Sequence, residues 1–328
     1  MTNSTPSASG DLTARLAGLP EDFSEFADIY DRDLKPVLQE KEEERKAAVG
    51  KARNYGVIGV AGGVVVAAVL IFLFKSPFAA IPGGIIGFGA LAYGYSGIRA
   101  VTQQVKTLII DLITSRFGLI YSEKAELSAE ANLEQQKTLK VVPDWDRKTL
   151  SDEIAGERDG VAFEFFEAHL EDKRTTRDSN GRSSTTWVTV FRGQCWVIDS
   201  PKTFHGTTRV SRDSGVFNAL GAISSDISRA KLESPEFEKA FEVYTTDQVE
   251  SRFLLTPDVM QAFLDLEAKF KGSKFRATFH GNKIYAALEG GELFETGSAF
   301  SSVDDPQRVG DLLEDIAVVF HLVDVLGK

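Results

Sequence analysis

The chain has a single cysteine, four histidines and, between residues 55 and 98, no acidic residue at all. One cysteine builds neither a disulfide framework nor a zinc quartet. Its setting, Phe191-Arg192-Gly193-Gln194-Cys195-Trp196-Val197-Ile198, reads as a strand in which Cys195 is a small packed hydrophobe. The histidines, His169, His205, His280 and His321, are scattered. P-loop, GxSxG, HExxH and dinucleotide fingerprints are absent, so no catalytic, cofactor-binding or metal-ligating residue is assigned and no cofactor is expected. A basic surplus is missing too. The net charge is −11, with −3 in residues 1–54, +1 in 55–98 and −9 in the remainder. An acidic remainder argues against a nucleic-acid partner, which needs a basic face. It also argues against the whole domain lying on anionic headgroups.

What is present in abundance is uncharged apolar sequence, concentrated in one block. Residues 55–74 contain no charge, and residues 78–98 form a second such run after Lys75-Ser76-Pro77. At ~1.5 Å per residue the first run covers ~30 Å, the thickness of a hydrocarbon core. Three connecting residues predict a tight antiparallel transmembrane hairpin, so the lipid bilayer is the expected partner of residues 55–98. Lys41, Arg45, Lys46, Lys51 and Arg53 precede it, and Arg99, Lys106 and Arg116 follow it. This bias predicts an inner (plasma) membrane protein with two spans and both termini cytosolic. No acidic or histidine residue lies in either span to suggest an ion or proton path. Gly59 and Gly63, then Gly83 and Gly87, have small-xxx-small spacing, which serves mutual packing of the two helices or homo-oligomer contacts between hairpins.

Around this block the pattern predicts an α+β protein: a helical arm, the hairpin, then a cytosolic mixed domain. Residues 1–20 are expected to be disordered. Residues 21–54 read as a helical arm and stalk with a break or kink at Pro36, 99–120 as a stalk helix, and 121–150 as linker or helix. In the domain over 151–328, runs 161–170 and 187–198 read as strands joined by a long polar loop over 173–186. A second hairpin turns at Gly281-Asn282, and an amphipathic helix covers 306–326. A pleckstrin-homology-like barrel is one form such a domain takes. Ser234, Asp247 and Thr256 read as helix caps.

Two groupings carry candidate chemistry. Glu167 and His169 share a strand face and can share a proton or a metal, with Glu164 and Glu171 near, or form a solvated surface. Arg209 and Arg212, with Lys202, can face a phosphate or lipid headgroup, or form an ordinary polar edge.

One segment is distinctive. Leu232-Glu233-Ser234-Pro235-Glu236-Phe237-Glu238-Lys239-Ala240-Phe241-Glu242-Val243-Tyr244 runs on through Thr245-Thr246-Asp247-Gln248-Val249-Glu250-Ser251-Arg252-Phe253-Leu254-Leu255-Thr256-Pro257. It resembles the bacterial domain of unknown function (DUF) 3137 family, as do Phe191-Arg192-Gly193, Phe204-His205-Gly206 and the layout of two spans before a domain. The resemblance reads over about 22 to 326. It implies a membrane-anchored protein without an assigned activity. Within the segment, Phe237, Phe241, Val243, Phe253 and Leu254 are expected in the core, and Glu236, Glu238, Lys239 and Glu250 on the surface. The functional expectation is a membrane-tethered interaction or scaffold module, whose partner is another membrane protein or a lipid. The alternative is a membrane-bound hydrolase-like enzyme with a site near Glu167 and His169.

Overall fold

A computed structural model describes residues 8–125, 127–177, 182–212, 227–269, 274–290, 293–294 and 301–327. Contacts divide the chain into two units, Met1–Ile110 with Glu295–Glu314, and Asp111–Phe294 with Asp315–Lys328.

The first unit is helical. Residues 1–20 were expected to lack structure, yet α1 spans Ala8–Leu16 with Leu12 and Leu16 buried. The reason is long-range: the Arg15 guanidinium bonds Asp311 and Glu314, each at 2.7 Å, partners some 300 residues away that no local pattern reveals. A short helix α2, Phe26–Ile29, and a π-helical turn, Tyr30–Leu34, lead into α3, Lys35–Phe74. Pro36 does not break this arm, although the π-helical turn stands immediately before α3. The proline sits in the first turn of α3, where its missing N–H costs nothing. Glu42 and Arg45 form a buried pair at 2.8 Å, and Glu42 also accepts from the Val303 N–H at 3.0 Å. The Tyr30 hydroxyl donates to the Asp304 carbonyl, so residues 301–314 are tied to the arm.

Helix α3 ends where Lys75 takes a left-handed conformation, φ 52°, and α4 runs over Ile81–Arg116. A methyl group on Gly63 would strike the Gly83 carbonyl oxygen, and one on Gly83 would strike Gly63. One on Gly59 would strike the Ala90 methyl group. The glycines therefore bring the two backbones together. The opposite faces are apolar and bare: Val57, Ile58, Val64, Phe72, Ile85 and Phe88 are exposed. Only 6% and 11% of the most apolar window of each helix is buried. A core helix of a water-soluble protein is buried on that face. Both helices are thus long and apolar enough to cross a membrane, with their apolar surface outward.

The second unit is built on one antiparallel sheet. Its strands are β1 (Ile120–Ser122), β2 (Arg147–Arg158), β3 (Val161–Arg177), β4 (Ser183–Asp199), β5 (Thr207–Arg212), β6 (Ser228–Ala230), β7 (Phe241–Thr245), β8 (Lys274–His280) and β9 (Lys283–Glu289). Their order is β1-β2-β3-β4-β9-β8-β5-β7-β6. Helices α5 (Leu127–Thr138), α6 (Pro235–Ala240), α7 (Gln248–Leu254), α8 (Pro257–Lys269) and α9 (Pro306–Leu326) complete the fold, which is α+β. Helix α9 gives its residues up to Glu314 to the first unit and the rest to the second. No ladder joins β1 to β6 among the described residues, so the pleckstrin-homology-like closure finds no support. The polar stretch 173–186, read as loop, is mostly strand. Threonine-rich segments pair across it, as Thr175 with Thr185, because β-branched residues suit an extended ladder even without burial. Asn180-Gly181 lies outside the described residues.

Alternation places two different rows on the two faces. Phe165, Trp196, Ala286, Ala277, Val210 and Val243 are successive cross-strand neighbours over six strands, and all are buried. The rings of Phe320 from α9 and Phe263 from α8 cover this face, at 6.4 Å from Phe163 and 4.5 Å from Phe275. On the other face Phe166, Cys195, Val197 and Ala287 pack beneath Ala129 and Leu133 of α5. Cys195 is wholly enclosed there, and burial pushes its thiol up, away from the reactive thiolate.

Candidate functional site

The hairpin β8–β9 turns at Gly281, φ 65°, with Asn282 beside it. That turn anchors the segment before β5: Ser200 N–H donates to Asn282 O at 2.8 Å and Phe204 N–H to Gly281 O at 2.5 Å. The Phe204 ring then meets Phe279 edge-on at 5.7 Å. Glu250 holds the next residues, accepting from the backbone N–H groups of His205 and Gly206 at 2.7 and 2.8 Å. Glu250 is therefore a staple, not the outward surface charge expected of it. Asp247 caps α7 by accepting from Val249 and Glu250 N–H, bonds that hold its carboxyl below the usual range. The Thr256 hydroxyl caps α8, accepting from Val259 N–H at 3.3 Å.

These anchors leave a cavity of about 540 Å³ among the strand face, α8 and the end of α9. Phe204, Phe279, Ile284, Val259, Ala262 and Leu326 make its buried apolar lining. Lys202, His321, Asp258 and Asp265 also border it. Phe253 lines it too and is 74% exposed. This corrects the expectation that Phe253 is core. Helix α7 is only seven residues long, and it turns Val249 and Phe253, one helical turn apart, outward together. The volume falls within the range of small-molecule sites; with Ser200, Thr256 and Gln261 beside the charged groups, polar side chains make up nearly half of the lining.

Neither sequence-level grouping coincides with this cavity as a whole. Glu167 and His169 do share a face, but neither lines it. Glu167 is 5% exposed, opposite Gln194, so it is not the surface residue expected; the strand face around it is a covered one. His169 Nε2 lies 2.9 Å from the Thr189 hydroxyl. Glu164 points to the other face, where Asn132 donates to it at 3.0 Å and burial raises its carboxyl above the usual range. Glu171 pairs with Arg147 at 2.6 Å. Among the described residues no three His, Cys, Asp or Glu side chains gather to hold a metal. The basic trio is also dispersed. Arg209 and Arg212 are three apart on one strand and so face opposite ways. Arg212 lies 3.8 Å from Glu267, while Lys202 borders the cavity.

Residues 189–328 match the family described as "Protein of unknown function (DUF3137)". The chain resembles that family. The matched stretch is narrower than 22–326: it begins within β4 and takes in every residue lining the cavity. No curated protein matches the chain. A solved structure does, the crystal structure of the mycobacterial trehalose monomycolate transport factor A, TtfA. It has 10% identity, a TM-score of 0.32, and coverage of 66% of this chain and 95% of that one. A likeness of that grade carries no argument about this protein.

Proposed function

We propose that this protein is a membrane-tethered, non-catalytic interaction module, held in the inner membrane by residues 55–98. Its hairpin flanks lie on the cytosolic side, and its sheet unit receives one acyl chain in the α8–α9 cavity. The observation that carries the reading is the inside-out character of the hairpin, with glycines between the helices and bare apolar side chains outside. Basic flanks and a single lysine at the turn favour the cytosolic orientation. Tyr55 and Tyr93 meet edge-on at 5.3 Å toward the flanked end of the hairpin, and tyrosines favour the headgroup level. The buried apolar part of the lining, Phe204, Phe279, Ile284, Val259, Ala262 and Leu326, suits an acyl chain, and the bilayer that holds the hairpin is a standing supply of such chains.

Orientation is tested by labelling. Cys195 is buried and gives little background, so Ser76→Cys and Ser184→Cys can be compared in intact cells with an impermeant maleimide. Ser76→Cys should react from outside and Ser184→Cys only after lysis; the reverse pattern would invert the topology.

Tether and cavity are separated by one photocrosslinking experiment. The full chain is placed in phosphatidylcholine nanodiscs doped with a lipid carrying a diazirine in its acyl chain. Adducts are expected on the hairpin and also on Phe253, His321 or Val325. Ala262→Phe, which fills the cavity, should remove the second set and keep the first. Hairpin adducts alone in the native chain would overturn the cavity assignment. Absence of hairpin adducts would overturn the tether.

A further inference from the structure

On the face away from the cavity, one row crosses seven strands: Glu164, Val197, Tyr285, Thr278, Arg209, Tyr244 and Arg229. Toward β6 this row becomes polar. The acids near its basic residues are already engaged. Glu242 takes Arg229 at 3.0 Å and the Tyr244 hydroxyl at 3.1 Å, and Glu289 takes Arg276 at 3.0 Å. Arg209, in the middle, is half-buried, and its Nε lies inside the fold without a hydrogen-bond partner. Among the described residues no carboxylate pairs with it. Burial alone acts on the guanidinium, lowering its pKa, with no acid to offset it.

A guanidinium taken partly out of water needs a counter-charge or hydrogen-bond acceptors. A Met side chain would pack in the same space without that cost. Tyr244 and Thr278 flank Arg209 on either side, and Arg229 follows beyond Tyr244. We infer that this row is an oxyanion site that takes a phosphate group, with Arg209 as its principal ligand and Tyr244 as its wall, while Thr278 is closed off beneath Leu139, whose carbonyl accepts from its hydroxyl. The planar fork of arginine matches two phosphate oxygens at once, which a lysine cannot do. The phosphate belongs either to a lipid headgroup or to a free phosphate ester.

The test uses the full chain in phosphatidylcholine nanodiscs, with inorganic phosphate and soluble dihexanoyl phosphatidic acid as separate probes. Hydrogen exchange of β5 and β7 is the readout. Both probes should slow exchange in the native chain, and Arg209→Gln should abolish the response. Arg209→Lys, which keeps the charge and loses the fork, should weaken it about tenfold. Protection by the short-chain lipid alone would assign the site to headgroups; protection by inorganic phosphate as well would assign it to phosphate in general. If neither probe protects the native chain, or if Arg209→Gln responds like the native chain, the site does not exist. Unchanged folding of Arg209→Met together with a silent native chain would mark Arg209 as a packing residue.

Discussion

Phe241→Ala should lower the urea midpoint of the sheet unit by about 1.5–2.5 M. The side chain is 1% exposed and stands in a cluster of rings: 4.9 Å from Phe237, 6.4 Å from Phe263 and 6.3 Å from Phe275. Truncating a buried phenylalanine removes its transfer free energy and leaves a cavity, together about 3–5 kcal/mol. The partner rings are held by α6, α8 and β8, so the surroundings have little freedom to collapse. Dividing by a urea slope of about 2 kcal/mol/M gives the midpoint shift. All three tryptophans, Trp145, Trp187 and Trp196, lie in this unit, so their fluorescence in the full chain reports its unfolding. Phe253→Ala is the internal control. That ring comes from the same distinctive segment but is exposed, and its loss should change stability by less than about 0.5 kcal/mol. Equal effects from the two substitutions would contradict the division between core and rim.

Gly193→Ala should be nearly as damaging, by about 3 kcal/mol or more. Gly193 lies on β4 opposite Glu289 of β9, the seam that joins the two halves of the sheet. A methyl group there would strike the Leu288 carbonyl oxygen and come within 3.1 Å of Glu289 Cα. Backbone atoms on a paired strand cannot rotate away as a side-chain tip can, so the strands must separate. Beside this point Gly290 N–H donates to Arg192 O at 3.0 Å, and that bond would be lost with the register. Hydrogen exchange along β9 in the variant, read against its urea midpoint, checks the claim. A native midpoint with β9 still protected would show that the seam tolerates the extra atom.

Both positions fall in stretches that sequence alone marks as unusual, Phe191-Arg192-Gly193 and the segment from 232 to 257. Their meaning differs in kind. The burial of Phe241 follows from apolar spacing next to a capped helix start, and Ser234 does cap α6 by accepting from Phe237 N–H at 3.3 Å. The closeness of Gly193 to Leu288 depends on which strand lies beside β4. Strand β9 begins some 90 residues later, and no local pattern names it.

Local chemistry accordingly determined what is local. The uncharged runs, the lysine turn, the glycine spacing, the caps at Ser234, Asp247 and Thr256, and the hairpin at Gly281 all depend on residues within a few positions of one another. Hydrophobic period and cap geometry act at that range. Tertiary structure alone decided the long-range matters. It ordered α1 through Arg15 and the acids of α9, and it buried Glu167 while exposing Phe253. It also assembled the cavity from segments between 200 and 326, and set Arg209 apart from Arg212 and Lys202. A side chain's type states its preference for water or for the core. Which of these it meets is fixed by elements that arrive from far along the chain, where strand order and helix docking cannot be read from neighbouring residues.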